Sequence, residues 1–127
     1  MRSVITALAA LLLTTGIARA ELPAASAATV RQALSSGKPA VIDLGARTCI
    51  PCRKMAPILE SLAKMYRGRA NILFIDVHED QEAARNFRVQ MIPTQIFFDS
   101  RGKEVKRHIG YLEQREIVQE LQQLGVR

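Results

Sequence analysis

The sequence has no tryptophan, and its aromatic residues are limited to two Tyr and four Phe. Its 18 Lys and Arg residues give a net charge of +6, but they are scattered among acids and form no basic stripe. A groove for nucleic acid needs such a stripe, with aromatic side chains on which bases stack. These absences exclude a nucleic-acid partner from the candidate functions.

The sequence also lacks an apolar run long enough to cross a membrane. The apolar stretch near the N-terminus, Val4 to Leu13, spans about ten residues, whereas a transmembrane helix needs roughly 20. Arg2 precedes this stretch, and an Ala-x-Ala pattern ending at Ala20 follows it, which is typical of a cleavable export signal. We expect residues 1–20 to be a signal peptide and residues 21–127 to form one exported domain; retention of the signal as a membrane anchor is the alternative.

Cysteine is scarce, since the chain has only Cys49 and Cys52. A structural disulfide usually closes a longer loop, because a two-residue loop constrains the unfolded chain very little. A zinc site would need two more ligands, and the only histidines, His78 and His108, show no ligand-like spacing. The pair is therefore interpreted as a redox couple that alternates between dithiol and disulfide, with no metal or organic cofactor.

The distribution of apolar residues predicts an α/β domain with the element order α-β-α-β-α-β-β-α. Helices are predicted at residues 22–36, 52–66, 80–87 and 113–124, and strands at residues 39–44, 71–77, 94–98 and 103–109. The first two strands are joined by a helix and should be parallel, and the last two are joined by a turn and should form a hairpin. The expected architecture is a mixed four-stranded sheet with helices on both faces.

Cys49 is predicted to lie at the turn between the first strand and the following helix. The free N–H groups and partial positive charge of a helix N-terminus favour the thiolate, which is the nucleophilic form of cysteine. Arg47 supplies a further positive charge nearby, and Pro51 has a backbone angle that suits the start of a helix. We therefore expect Cys49 to attack disulfides and Cys52, one turn into the helix, to act as the resolving thiol.

Asp43 interrupts the otherwise apolar run that leads into the cysteine pair. Burial in this strand would raise the pKa of the carboxyl group and allow it to carry a proton near neutral pH. The alternative is an aspartate that reaches solvent at the end of the sheet, because a buried carboxylate without a partner is costly.

Two groups of residues resemble the thioredoxin family. The first extends from Ile42 to Leu59 and contains Cys49-Ile50-Pro51-Cys52, and the second begins at Ile92-Pro93-Thr94 and extends to Gly110. The resemblance covers nearly all of residues 21–127 and implies the thioredoxin fold. It also implies that Asp43 helps to deprotonate Cys52 during resolution.

The resemblance further implies how a client would bind. In the family, the proline matching Pro93 follows a cis peptide bond and faces the disulfide, and the backbone of the residue matching Ile92 pairs with the bound polypeptide. Ile50 and Pro51, between the cysteines, are the other expected client-binding residues.

The chain departs from thioredoxin itself at several positions. Thioredoxin has two tryptophans before its first cysteine, where this chain has Gly45 and Thr48. The lysine that thioredoxin pairs with its buried aspartate is absent, with Asp76 or a neighbour near that place. The strand that thioredoxin places before its first helix has little room here.

These features together resemble exported thioredoxin-like reductases. They imply a monomeric protein-disulfide reductase in the bacterial periplasm, which acts on disulfide-containing proteins such as apocytochrome c and takes electrons from a membrane thiol transporter. One alternative is the same chemistry in the opposite direction, as a disulfide oxidase or isomerase. Another is a non-catalytic module that binds clients at the strand edge near Pro93.

Overall fold

The computed structural model describes residues 21–127, and within them four helices and four strands follow one another in the predicted order. The helices are α1 (Ala27–Leu34), α2 (Ile50–Met65), α3 (Gln81–Asn86) and α4 (Gln114–Gln123); the strands are β1 (Ala40–Gly45), β2 (Asn71–Asp76), β3 (Thr94–Phe98) and β4 (Glu104–Ile109). The signal peptide expected at residues 1–20 lies outside the described residues.

The four strands form one mixed sheet in the spatial order β2-β1-β3-β4. As predicted, β1 and β2 are parallel, and β3 and β4 form an antiparallel hairpin. The sheet is completed by antiparallel pairing of β1 with β3, which places Leu44 opposite Thr94 and Asp43 opposite Gln95.

Helices cover both faces of the sheet, because successive side chains of each strand point to opposite faces and most of them are apolar. On one face, α2 and α4 pack over a cluster that includes Val41, Phe74 and Phe97. On the other face, α1 and α3 pack over a cluster that includes Ile42 and Leu44. The expected fold, with its two helical layers, is confirmed.

The first helix is shorter than the predicted segment 22–36, because the residues before it pair with the sheet. Ser26 caps the N-terminus of α1 with its side chain. Ala24 forms an isolated bridge with Phe74, and the Ala25 N–H donates to the Phe74 carbonyl oxygen at 2.7 Å. A strand before the first helix is thereby reduced to a single bridge at the outer edge of β2.

The second helix begins two residues earlier than predicted and is continuous through Pro57. Its buried side chains, Met55, Leu59 and Leu62, recur at helical spacing and face the sheet. Their burial stabilises the helix although proline removes one of its backbone hydrogen bonds. Among residues 21–127, no helix has the length and hydrophobicity that crossing a membrane requires.

Four loops meet at one end of the sheet, and one of them follows β2, which is parallel to β1. β3 runs antiparallel to both β1 and β4, so the end of β1, the start of β3 and the end of β4 lie at the same end of the sheet. The loops at this end of the sheet are residues 46–49, residues 77–80, residues 91–93 and residues 110–113. They carry both predicted motifs, the cysteine pair and the Ile92-Pro93 pair.

Candidate active site

Cys49 and Cys52 are joined by a disulfide bond at the N-terminus of α2, with their Cα atoms 5.2 Å apart. Cys49 is the N-cap residue, and its sulfur accepts a hydrogen bond from the Cys52 N–H at 3.4 Å. Ile50 and Pro51 occupy the first two positions of the helix. When the bond is reduced, this position favours the thiolate form of Cys49, because the N–H groups and dipole of the helix stabilise negative charge.

The two cysteine residues differ in their exposure to solvent. Cys49 is partly exposed, whereas the residue Cys52 is only 5% exposed. Cys52 borders a cavity of about 20 Å³ whose lining includes Leu22, Ala46 and Leu59. A disulfide on another protein can therefore reach Cys49, while Cys52 is placed to react only with a sulfur bonded to Cys49.

Asp43 lies behind Cys52 and is fully buried, as expected from its place in an apolar strand. Burial raises the pKa of its carboxyl group from 3.8 to about 7, although a hydrogen bond from Gln95 partly opposes the rise. The Gln95 Nε2 donates to Asp43 Oδ1 at 2.7 Å. The carboxyl group therefore exchanges its proton near neutral pH, in the range that thiol chemistry uses.

Gly45 allows Asp43 and Cys52 to approach the backbone of β1 closely. A Cβ atom at position 45 would lie 3.3 Å from Cys52 Sγ and 3.4 Å from Asp43 Oδ2. Both atoms thus border the same small volume, which any side chain at this position would crowd.

Arg47 is held by the segment that precedes α1. Its guanidinium group forms an ion pair with Glu21, donates to the Leu22 carbonyl oxygen at 2.9 Å and lies 5.0 Å above the centre of the Phe74 ring. The charge is shared with Glu21, which weakens the contribution to the Cys49 thiolate that the sequence suggested.

The loop that leads to Cys49 is attached to the end of β2. The backbone N–H of Arg47 donates to Asp76 Oδ2 at 3.2 Å, and that of His78 donates to Asp76 Oδ1 at 2.9 Å. Thr48 Oγ1 and His78 Nδ1 lie 3.3 Å apart, within hydrogen-bond distance. Asp76 does not face Asp43; the residue of β2 opposite Asp43 is Phe74.

The Ile92–Pro93 peptide bond is cis, as the family resemblance implied. The Pro93 carbonyl oxygen accepts from the Gly110 N–H at 2.7 Å, and the Met91 carbonyl oxygen accepts from Thr94 Oγ1 at 2.6 Å. Within residues 21–127, no hydrogen bond uses the backbone N–H or carbonyl group of Ile92. These groups remain open to another polypeptide strand.

The histidines considered as zinc ligands are on separate elements. His78 lies beside Thr48, whereas His108 belongs to β4 and its Nε2 lies 3.1 Å from the Tyr111 carbonyl oxygen. In residues 21–127, no three His, Cys, Asp or Glu side chains are grouped closely enough to hold a metal ion.

Gln95 is the site residue that the sequence analysis did not identify. The sequence contains one signal for it, namely a polar amide within the apolar strand Thr94–Phe98. The register that places this amide opposite Asp43 depends on pairing between strands about fifty residues apart, and local sequence patterns do not define it.

Comparisons with known proteins agree with this geometry. The family model named Thioredoxin matches residues 22–123. The thioredoxin of Alicyclobacillus acidocaldarius subsp. acidocaldarius is 38% identical over 84 residues, which are 66% of this chain and 79% of that protein. The bifunctional thioredoxin reductase/thioredoxin of Mycobacterium leprae (strain TN) is 43% identical over 77 residues, which are 61% of this chain but only 17% of that longer protein.

Solved structures show the same relationship. Chloroplastic thioredoxin z superposes with a TM-score of 0.72 at 26% sequence identity, and the match covers 84% of this chain and 96% of that one. The family match includes the disulfide at the start of α2 and the cis proline before β3. This chain therefore belongs to the thioredoxin family and is a thioredoxin-like disulfide oxidoreductase with Cys49 and Cys52 as its redox pair.

Proposed function

We propose that this protein is an exported reductase of protein disulfides that works in the bacterial periplasm. The observation that carries the proposal is the placement of buried Asp43 beside the space that also borders Cys52. A proton acceptor at the resolving thiol accelerates closure of the Cys49–Cys52 bond, and this closure releases a reduced client. The arrangement therefore supports catalysis of disulfide exchange, and the family resemblance favours the reducing direction.

In the first step, the Cys49 thiolate attacks one sulfur of a client disulfide. A bond forms between Cys49 and that sulfur, the client's own disulfide bond breaks, and its second sulfur leaves with the electron pair and takes up a proton. The position of Cys49 at the helix N-terminus supports this step by stabilising the thiolate.

In the second step, Cys52 loses its proton to Asp43 and attacks the Cys49 sulfur. The Cys49–Cys52 bond forms, and the client's first sulfur leaves with the electrons of the mixed disulfide. The client has then gained two electrons and the cysteine pair has lost two. Turnover requires a dithiol donor to reduce Cys49–Cys52 again.

The surface around the disulfide is suited to an extended, partly apolar client segment. Ile50 is 71% exposed, Met91 is 64% exposed and Tyr111 is 45% exposed, and all three belong to the end of the sheet that carries the disulfide. We call these three residues the apolar rim. The free backbone groups of Ile92 lie beside it and would pair with the client as an added strand, with Pro93 and Pro51 completing the contact.

Export and the electron source are supported by the sequence. The signal-peptide pattern of residues 1–20 supports cleavage after Ala20 and delivery to the periplasm. The resemblance to exported thioredoxin-like reductases supports a membrane thiol transporter as electron donor and apocytochrome c as one client. Cell fractionation and N-terminal sequencing test this part: a cytoplasmic protein, or one that retains residues 1–20, would contradict it.

The proposed active form is a monomer. The outer strand β4 bears charged residues, and two of them pair within the chain, Lys106 with Glu120 and Arg107 with Glu104. Charged side chains on an edge strand disfavour pairing with a second sheet. Sedimentation equilibrium should give the monomer mass at micromolar concentration, and a stable dimer would contradict the proposal.

Reduction of insulin disulfides by the dithiol form tests the catalytic proposal. Wild-type protein with a dithiol donor should accelerate the reaction, and both Cys49→Ser and Cys52→Ser should abolish turnover. Equal activity in Cys52→Ser would refute resolution by Cys52. Redox titration against glutathione then separates a reductase from an oxidase, because about 30 mV in potential corresponds to roughly tenfold in the equilibrium constant.

Trapping in the host identifies the clients and the donor. Cys52→Ser retains the attacking sulfur and should remain linked to its partners through Cys49, whereas the double variant with Cys49→Ser is the matched control. Envelope proteins with reducible disulfides, recovered only with the single variant, are the expected result. A non-catalytic binding module would instead retain the same partners without a covalent link.

A further inference from the structure

Gln95 makes the direct side-chain contact with Asp43. Its Nε2 donates to Asp43 Oδ1 at 2.7 Å, and both residues are fully buried. The two residues are opposite one another in the antiparallel pairing of β1 with β3, so strand register sets the contact. A buried amide in an apolar strand is costly unless it is paired, which makes this contact a specific feature of the site.

The second oxygen of each group has no hydrogen-bond partner within residues 21–127. These atoms are Asp43 Oδ2 and Gln95 Oε1, and both are buried. Asp43 Oδ2 is also the oxygen that would lie 3.4 Å from a Cβ atom at Gly45, and Cys52 Sγ would lie 3.3 Å from the same atom. The hydrogen bond from Gln95 thus occupies one carboxyl oxygen and leaves open the oxygen that borders position 45 together with the resolving thiol.

A neutral amide suits a carboxyl group that must both take and return a proton. The N–H of Gln95 can donate to Oδ1 when Asp43 is ionised, and also, more weakly, when the proton is on Oδ2. A lysine in the same place would favour only the ionised form, because the attraction between opposite charges is lost once the carboxyl group is protonated. Gln95 therefore stabilises the position of the carboxyl group in both states.

We propose that Gln95 is a positioning residue, which holds Asp43 so that Oδ2 is the oxygen that receives the Cys52 proton. This inference rests on the proposed function, since resolution by Cys52 is the step that supplies the proton. The proton moves from Cys52 Sγ to Asp43 Oδ2, while the electron pair stays on sulfur and forms the new bond to Cys49.

Few titratable groups other than Asp43 itself lie near this carboxyl group and could add to the pH dependence of the resolving step. Cys52 faces it from α2, Phe74 lies opposite on β2, and Gln95 lies opposite on β3. His108 is the next residue across the sheet, opposite Gln95 on β4. Cys52 and His108 are thus the titratable neighbours to be separated from Asp43 in an experiment.

The first test is the titration of the Asp43 carboxyl carbon by NMR in the oxidised protein, where neither cysteine titrates. Gln95→Met keeps an unbranched side chain but removes the donor. We expect the titration midpoint of Asp43 to rise by about one to two pH units, because a hydrogen bond to the charged form is lost. The midpoint of His108, followed in the same spectra, should stay the same.

The second test measures resolution by Cys52 directly. When the reduced protein reacts with 5,5′-dithiobis(2-nitrobenzoate), attack by Cys49 releases one thionitrobenzoate and resolution by Cys52 releases a second. In Gln95→Met the second release should be about tenfold slower at pH 7 and should approach the wild-type rate near pH 9, where less Asp43 is protonated. The first release should be unchanged.

Phe97→Leu is the matched control, because Phe97 is the next buried residue on the same face of β3. It should lower stability without changing the Asp43 midpoint or the second release. An unchanged midpoint in Gln95→Met, or an equal change in Phe97→Leu, would overturn the inference. If Gln95→Met folds poorly, Gln95→Leu provides the same comparison. Failure of wild-type protein to reduce insulin would instead count against the proposed function, because this reagent reports resolution without a protein client.

Discussion

At the scale of single residues, burial of Asp43 makes the stability of the protein depend on pH. The native carboxyl group has a pKa of about 7, against 3.8 for the ordinary side chain. Between these values the native state holds a proton that the unfolded state has lost. The free energy of unfolding therefore falls as pH rises from about 4 to 7, and the destabilisation is complete above the native pKa.

Asp43→Asn should remove this dependence in the oxidised protein. We expect the variant to be more stable than wild type by up to about 4 kcal/mol near pH 8.5, and about equally stable near pH 4. Urea unfolding at both pH values measures the difference. Hydrogen bonds from the Lys103 backbone and the Arg107 side chain lower the pKa values of Asp99 and Glu104 respectively. These two residues contribute the same pH dependence to the stability of both proteins, so they do not affect the difference. A constant difference across this range would contradict the assignment.

The same substitution should slow catalysis. The introduced amide is nearly isosteric with the carboxyl group and would lie beside Gln95 as that group does, but it cannot accept the Cys52 proton. Insulin reduction by Asp43→Asn is expected to be at least about tenfold slower near pH 7, with circular dichroism unchanged. Equal rates for wild type and variant from about pH 6 to pH 9 would show that Asp43 carries no proton in turnover.

At the scale of elements, the position of the disulfide depends on the contacts that hold the loop between β1 and α2. Asp76, at the end of β2, accepts from the backbone N–H groups of Arg47 and His78 and is only 5% exposed. The neighbouring parallel strand thus holds the loop that places Cys49 at the start of α2. This attachment is independent of the helix itself.

Asp76→Ala should loosen the loop. Loss of both acceptors is expected to lower the free energy of unfolding by about 1–3 kcal/mol, measured by urea unfolding. Asp76→Asn, which retains one oxygen acceptor, should lose about half as much. An Ala variant as stable as wild type would mean that water replaces the carboxylate without cost.

At the scale of the whole molecule, the proposed client surface combines three segments that are distant in sequence. Ile50 follows β1, Met91 precedes β3, and Tyr111 follows β4. The antiparallel pairing of β3 with both neighbours brings them to one end of the sheet, around the disulfide. The strand topology of the sheet therefore brings the three residues of the apolar rim together.

Met91→Glu should separate client binding from thiol chemistry. A charge in the rim is expected to lower kcat/KM for insulin reduction by about tenfold, because the buried apolar contact with the client is lost. Reduction of 5,5′-dithiobis(2-nitrobenzoate) should stay within about twofold of wild type. Met91→Gln, which is polar but neutral, should have an intermediate effect. Equal losses with both substrates would place Met91 in the chemistry and not in client binding.

Much of this molecule follows from local patterns in the chain. The periodicity of apolar residues specifies the order of helices and strands, and the spacing of Cys49 and Cys52 before an amphipathic segment specifies a thiol pair at a helix start. Burial of Asp43 follows from the apolar strand around it. These features depend on neighbouring residues, whose side-chain directions repeat with the period of the helix or strand.

Tertiary structure decided the features that depend on contacts between distant segments. The start of α1 was set by pairing of Ala24 with Phe74, and the attachment of the cysteine loop was set by Asp76. The contact between Gln95 and Asp43 exists because β3 pairs with β1 in one particular register. A shift of one residue would turn Gln95 to the opposite face of the sheet, so that only the assembled sheet determines which partner the buried carboxyl group has.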